Sequence, residues 1–362
     1  MDTHFYALRV RAIEPDTDEA VIVSFDVPAD LRERFAFTQG QYLTLRATLD
    51  GKELRRSYSV CAGVDDDVLR IGVRKVRGGV FSNWIAQGLH AGDSIEIMPP
   101  QGRFYVPVDE RARRHYLGIA GGSGITPVLS ILKTVLAREP HSRFTLLYGN
   151  RSLRSTMFKE ELEDLKNRFL ARLQLHYVFS DEHSDSPLHQ GVLDSERVSA
   201  FLRGVVRAET VDHAFVCGPY QMNDQAEAAL LAAGLGAGQV HIERFGVAPG
   251  DTAGAAGAVM HHAETRDPPL ARVTIRRDGL SHTVDFRQGD PSILDVATAA
   301  GLDLPYSCTS GVCGTCRARL LCGEVRMDRN FALEKADIEA GFILACQSHP
   351  LTEQVEISFD ER

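Results

Sequence analysis

The chain has 362 residues and 44% of them are hydrophobic, enough for real cores and too many for a disordered protein. With 40 Lys and Arg against 49 Asp and Glu, the net charge of −9 argues against nucleic acid or an anionic membrane as the main partner. Seven cysteines, an odd count in so long a chain, argue against a disulfide scaffold and for a reducing, cytoplasmic setting.

At roughly 100–200 residues per domain, the length allows two to four domains. Met1 to Arg9 shows no basic region before an apolar core, so no secretory signal is expected. The most apolar stretch, 119–137, is broken by Gly121, Gly122, Gly124, Pro127 and Lys133 and makes a poor membrane span.

Residues 1–107 alternate with a period of two, as in 20–27 and 42–47, with turn residues at short intervals. This spacing predicts a small antiparallel β-barrel. Arg56-Ser57-Tyr58-Ser59 follows an apolar strand, and Gly79-Val80-Phe81-Ser82-Asn83-Trp84 lies downstream. Together they resemble the flavin-binding signature of the ferredoxin–NADP reductase family, R-x-Y-S and then G-x-x-S. The resemblance implies that Arg56 pairs with the flavin phosphate, assisted by Gly79 and Ser82 at a helix start. It also implies that Tyr58 stacks on the isoalloxazine and that Ser59 bonds near flavin N5. Taken alone, the motif is equally an ordinary barrel strand with an exposed arginine.

Residues 108–245 alternate strand-like and helix-like runs, which predicts an α/β doubly wound parallel sheet. Strands are expected at 115–120, 144–148, 173–179, 214–216 and 241–243, with helices over 127–138 and 157–168. Gly121-Gly122-Ser123-Gly124-Ile125-Thr126-Pro127 lies between a strand and a helix. Gly122 and Gly124 let the backbone approach a pyrophosphate, Thr126 suits a cap and Pro127 suits the first helical position. The loop is not G-x-G-x-x-G, so the standard dinucleotide fingerprint is absent. It resembles the G-x-G-I-T-P loop of the same reductase family, although such turns also occur without ligands.

In that family a C-G-P turn sits beside the nicotinamide, which places Cys217, Gly218 and Pro219 there, Cys217 as a positioning residue and not a nucleophile. Glu243 and Phe245 match a terminal strand whose Glu and aromatic ring lie over the flavin. Here the chain continues past Phe245, which leaves packing at a domain boundary as the other reading. After the strand at 144–148, Arg151, Ser152 and Arg154 offer cations and a hydroxyl with no acid before Glu160. This favours the 2′-phosphate of NADPH over NADH.

Residues 246–270 are rich in Gly, Ala and Pro without apolar period and read as a flexible linker. The adjacent His261 and His262 fall in it and are expected to face solvent. Residues 271–362 begin with a hairpin turning at Asp278-Gly279, then a helix over 291–300 with Asp290 as N-cap and Gly301 as stop.

Cys308, Cys313, Cys316 and Cys346 are then spaced C-x4-C-x2-C and, 29 residues on, C. That is the plant-type [2Fe–2S] spacing, and small residues around the cysteines leave room for N–H groups to reach the sulfurs. A structural zinc site is the alternative, but it would more often show two C-x-x-C knuckles. Cys61 and Cys322 are expected to be packed core thiols. From Leu304-Pro305-Tyr306-Ser307 to Cys346-Gln347, this segment resembles a plant-type ferredoxin domain, an α+β β-grasp fold.

The resemblances imply a multidomain reductase passing electrons from NADPH through FAD, or FMN, to a [2Fe–2S] cluster and on to an oxygenase. Ser59, Cys217 and Glu243 would be its catalytic-centre residues. Gln39-Gly40-Gln41, 53–56, 148–151 and 292–295 further resemble the reductase subunits of bacterial ring-1,2-phenylacetyl-CoA epoxidases, which implies a diiron partner. A reductase for another Rieske or diiron oxygenase, a disulfide or quinone reductase and a zinc-stabilised binding protein are the alternatives.

Overall fold

The computed structural model describes residues 2–246, 252–253, 258–259 and 263–361. The first module is antiparallel: β1 (Tyr6–Thr17), β2 (Ala20–Asp26), β3 (Tyr42–Leu49), β4 (Lys52–Ser59), β5 (Leu69–Arg74) and β6 (Ser94–Gln101) lie in the order β4-β3-β6-β1-β2-β5. A bridge from Val60, just past β4, to Ile71 closes the sheet into the expected barrel. Leu8, Val10, Val23, Phe25, Leu43, Leu45 and Val73 fill its interior, each contributing about 1.5–3 kcal/mol by burial. β3 and β4 turn at Asp50-Gly51, both with positive φ, the hairpin turn whose twist suits the strands. α1 (Val80–Gln87) caps the barrel with Phe81 and Ile85.

The second module alternates as expected: β7 (His115–Gly121), α2 (Ile125–Arg138), β8 (Arg143–Asn150), α3 (Lys159–Arg168), β9 (Leu173–Phe179), α4 (Ser195–Phe201), β10 (His213–Gly218), α5 (Tyr220–Ala232) and β11 (Val240–Arg244). All five strands are parallel, in the order β11-β10-β7-β8-β9. The order reverses between β7 and β10, and the crevice at that point is where such sheets bind ligands. α3 starts later than the expected residue 157 because Phe158 is left-handed, with φ 56°, and cannot extend a helix. Its N–H donates to Asp16 of the barrel at 3.0 Å, which ties the first two modules together.

β12 (Thr252–Ala253) pairs with β13 (Ala258–Val259). The third module holds β14 (Leu270–Arg277), β15 (Leu280–Arg287), α6 (Ile293–Ala299), β16 (Arg317–Cys322), β17 (Val325–Met327), α7 (Lys335–Glu339), β18 (Phe342–Leu344), β19 (Ser348–Pro350) and β20 (Gln354–Ser358). Its main sheet runs β15-β14-β20-β16-β18, with β14 and β20 parallel, and α6 buries Ile293, Leu294 and Ala297 beneath it. This is the β-grasp arrangement.

Three expectations in this region need correction. Asp290 does not cap α6. Ser292 does, accepting from the Asp295 N–H at 3.1 Å, while Asp290 accepts from Arg287 N–H in the turn after β15. Cys322 is exposed rather than packed, because a register shift between Leu320 and Cys322 interrupts the pairing of β16 with β20. The end of the expected linker is ordered: Asp267 is buried against Arg326, with contacts of 2.9 and 2.7 Å. His261 and His262 lie outside the described residues. Among the described residues, no helix is long and apolar enough to cross a membrane.

Candidate functional site

Side chains alternate along β4, so Arg56 and Tyr58 face one way while Arg55, Ser57 and Ser59 face the other. Tyr58 stacks on Phe81 with ring centres 6.3 Å apart, which brings this face of β4 to the first turn of α1. Burial raises the Tyr58 phenol well above its ordinary value, so the ring stays neutral. Gly79 precedes α1 in extended conformation, and a Cβ there would lie 2.9 Å from Ser82 Oγ. Ser82 Oγ in turn accepts from Val76 N–H at 3.2 Å, and Ser59 is buried. Arg56 is exposed and gives one N–H to the Arg55 carbonyl at 2.7 Å. A guanidinium, a helix start and a flat ring on one face suit a flavin nucleotide.

The glycine loop lies at the C-terminal end of β7. Gly122 has φ 52°, and a Cβ there would meet Arg74 Nη1 at 2.7 Å. A Cβ on Gly124 would lie 2.0 Å from the Cys217 carbonyl oxygen, so this glycine is required for packing against β10. Pro127 is the third helical residue rather than the first, since a 3-10 turn over Gly122–Gly124 leads into α2. Thr126 does not cap; its Oγ1 donates to the Ser123 carbonyl at 3.0 Å. Both are buried in the core, Thr126 with its methyl facing Gly72.

A cavity of about 570 Å³ opens at the switch point, lined among others by Arg74, Gly122, Gly124, Arg151, Gly218, Pro219 and Phe245. Six expected residues, all but Arg74, therefore converge there. Phe245 is 48% exposed at its rim. Ser152 is drawn into a reciprocal cap with Ser155, and Arg154 points to solvent near Asp18. Glu19 of the barrel accepts from both Arg151, at 2.5 Å, and Arg74, at 3.0 Å. The hydrogen bond from Arg151, then that from Arg74, holds its carboxyl below the usual range. Beneath the cavity, burial and then the nearby Glu243 push the Cys217 thiol well up. A neutral thiol fits the positioning role and not a nucleophile.

The cysteine loop is wound by three left-handed residues, Thr309 (φ 51°), Gly311 (φ 77°) and Gly314 (φ 72°). The N–H groups of Ser310 and Cys313 donate to Cys308 Sγ at 3.4 and 3.3 Å, and Thr315 N–H donates to Cys313 Sγ at 3.5 Å. The Cys313 thiol, with the Ser310 and Cys313 N–H groups, outweighs burial and lowers the Cys308 thiol below its ordinary value. Among the described residues, no three His, Cys, Asp or Glu side chains gather as around a single ion. The thiols instead neighbour each other as two pairs, Cys308 with Cys313 and Cys316 with Cys346. Four neighbouring thiols, two of them with backbone N–H donors aimed at their sulfurs, fit a four-thiolate cluster.

The cysteine loop packs directly against the barrel. Tyr42 of β3 donates its hydroxyl to the Cys313 carbonyl at 2.6 Å and bonds Thr315 Oγ1 at 3.0 Å. Ser57 of β4 bonds Ser307 at 2.8 Å, and Arg103 grips Asp337 with contacts of 3.0 and 2.6 Å. Arg244 stacks over Tyr220 and Phe331, which themselves meet edge to face. Where the three modules meet, Tyr42, Phe104, Glu243, Cys313 and Phe331 line a cavity of about 320 Å³. Burial there pushes the Glu243 carboxyl up to about 8. Sequence reasoning missed Tyr42, Arg74, Arg103 and Glu19 in these roles: Tyr42, Arg103 and Glu19 work through partners from another module, and Arg74 through Glu19, fifty-five residues away in the barrel.

Comparison with known proteins agrees with this geometry. Residues 8–105 match the oxidoreductase FAD-binding domain family, 119–228 the oxidoreductase NAD-binding domain family and 275–351 the 2Fe-2S iron-sulfur cluster binding domain family. The last match sets aside the zinc alternative. The chain is 42% identical over 361 residues, 99% of both chains, to one of the subunits of the 1,2-phenylacetyl-CoA epoxidase of Escherichia coli K12. It is 36% identical to the ferredoxin reductase component of a 3-ketosteroid-9-alpha-monooxygenase of Mycobacterium tuberculosis, covering 99% of this chain and 97% of that one. The fold matches phthalate dioxygenase reductase with a TM-score of 0.58 at 24% identity, over 98% of each chain. The chain belongs to the family of iron-sulfur flavoprotein reductases, which join FAD-binding, NAD-binding and [2Fe–2S] domains in one polypeptide and pass electrons from NAD(P)H through FAD to the cluster.

Proposed function

We propose that this reductase takes NADPH and serves a multisubunit diiron epoxidase acting on an aryl-CoA thioester such as phenylacetyl-CoA. The observation that carries the electron path is the hydrogen bond from Tyr42, in the barrel, to the main chain of the cysteine loop. The acceptor rests on the 42% identity, over the whole length, to the E. coli epoxidase component. When bound, NADPH supplies a hydride, FAD takes the electron pair, and the cluster hands electrons on singly.

The chain's own residues bind and orient. Gly122, Gly124, Gly218 and Pro219 shape the nicotinamide-nucleotide cavity, and Arg151 at its rim takes the 2′-phosphate, exchanging Glu19 for it. Ser152, through its cap with Ser155, holds the turn that follows Arg151, and the exposed Arg154 adds positive charge to that turn. Arg56, Gly79 and Ser82 hold the flavin phosphate, while Tyr58, Ser59 and Phe245 surround its ring. Cys217 fixes the nicotinamide side, and Glu243 holds a proton on its carboxyl up to about pH 8. Cys308, Cys313, Cys316 and Cys346 ligate the cluster. Thr126 and Pro127 act through the core rather than by touching the ligand. A cytoplasmic setting belongs to this reading and agrees with seven unpaired cysteines.

The test is reconstitution with purified epoxidase components, phenylacetyl-CoA and NADPH, following product formation. Turnover with those components and none with a steroid monooxygenase is expected. The reverse would favour the second reading, a steroid-type acceptor, which the 36% identity to the mycobacterial component supports. Tighter use of NADH than of NADPH would refute the cofactor choice.

A further inference from the structure

β4 carries two adjacent arginines, and the alternation of a strand sends them to opposite faces. Arg56 faces α1 and the flavin motif. Arg55 is only 5% exposed and faces the third module. Its Nη1 donates to the Leu304 carbonyl at 3.0 Å, its Nη2 to Asp303 Oδ1 at 2.7 Å and its Nε to Glu53 Oε1 at 2.8 Å. Its guanidinium carbon lies 4.2 Å from the ring centre of Tyr306 and 5.1 Å from that of Phe5.

Residues 303–307 lead straight into Cys308, and Ser307 is itself bonded to Ser57 on the same face of β4. We propose that Arg55 is the positioning residue that seats the [2Fe–2S] module on the flavin barrel and thereby sets the rate at which electrons cross to the cluster. It is not a flavin ligand.

The geometry explains why an arginine is used. Exposed ion pairs in general contribute little, and Asp303 is 61% exposed, so bare charge attraction is not the point. A planar fork that donates to two consecutive residues fixes the register of the loop, and a ring on its face fixes the tilt. A lysine would keep the charge but lose both constraints. Electron passage between bound centres falls steeply with distance, so register and tilt act on rate.

The inference rests on the FAD-to-cluster order above and not on the acceptor. Its test contains no oxygenase, so a wrong acceptor leaves it untouched. The holoenzyme and its Arg55→Ala, Arg55→Lys, Asp303→Ala and Arg55→Ala/Asp303→Ala variants are mixed with NADPH. Flavin and cluster reduction are followed separately by visible absorbance. Hydrogen–deuterium exchange of residues 303–315 gives a readout independent of turnover.

In Arg55→Ala, flavin reduction should stay within about twofold while cluster reduction falls about tenfold or more and exchange over 303–315 rises similarly. Arg55→Lys should restore little, and the double variant should be no slower than Arg55→Ala alone, as for two groups acting through one contact. Unchanged cluster reduction and exchange, or strictly additive single effects, would overturn the proposal. So would equal losses of flavin and cluster reduction. If Arg55→Ala fails to fold, the half-exposed Asp303→Ala decides by the same two readouts.

Discussion

The cavity at the switch point and the seam under the third module are built in opposite ways. At the cavity the chain withholds side chains: Gly121, Gly122, Gly124 and Gly218 meet, and about 570 Å³ is left open. At the seam it supplies them, with Tyr42, Ser57 and Arg103 each paired to a residue more than two hundred positions away. The first surface is shaped for a small molecule that arrives and leaves. The second is a protein interface whose polar groups already have their partners. A hydride donor that must exchange every turnover needs the one, and an electron relay within a single chain is served by the other.

The contrast breaks down most visibly if the two regions prove to be coupled. Cys313→Ser should abolish the [2Fe–2S] absorbance and electron delivery to a protein acceptor. NADPH-driven ferricyanide reduction, which needs only the first two modules, should survive. Loss of both activities would mean that the seam supports the whole fold.

Gly124→Ala tests the cavity side. Its Cβ would collide with the Cys217 carbonyl, and overpacking of this kind costs about 1–3 kcal/mol. A lower melting temperature and slower flavin reduction by NADPH are expected, with the third module's exchange pattern unchanged.

Arg151→Ala should raise the KM for NADPH about tenfold and leave that for NADH nearly unchanged, as expected for one charge-assisted contact to a phosphate. Steady-state kinetics with both nucleotides checks this.

Glu243 lines the cavity where the three modules meet, and its effect is on pH. Its carboxyl is raised from 4.5 to about 8 by burial, so the folded chain keeps a proton that the unfolded chain releases. Stability should therefore fall as pH rises from 4.5 through about 8. Glu243→Gln should flatten that part of a denaturation-against-pH series. The smallest effect belongs to neither region: Cys322→Ser, at an exposed thiol, should change stability by no more than about 0.5 kcal/mol.

Much of the site was legible because its chemistry is local. The C-x4-C-x2-C spacing, the R-S-Y-S strand and the glycine loop each place several groups within ten residues, where chain geometry alone keeps them together. The errors were also local. Asp290 and Ser292 both suit a cap, and only the backbone around Ser292 points its hydroxyl at the helix start. Gly124 lines the cavity, but the carbonyl that also excludes a side chain there, that of Cys217, belongs to a strand far along the chain and was not legible. Cys322 read as packed because a cysteine outside the cluster spacing usually behaves as a small buried hydrophobe, and a register shift moved it out.

By itself the sequence determined the three modules and their order, and it offered the groups proposed to hold each cofactor, because period, spacing and residue chemistry act over short distances. Only the tertiary structure decided how the modules address one another. Arg55 and Arg56 are neighbours of one kind in the chain, yet one meets the cysteine loop and the other the flavin face. Which is which depends on the strand's two faces and on what the fold brings against each.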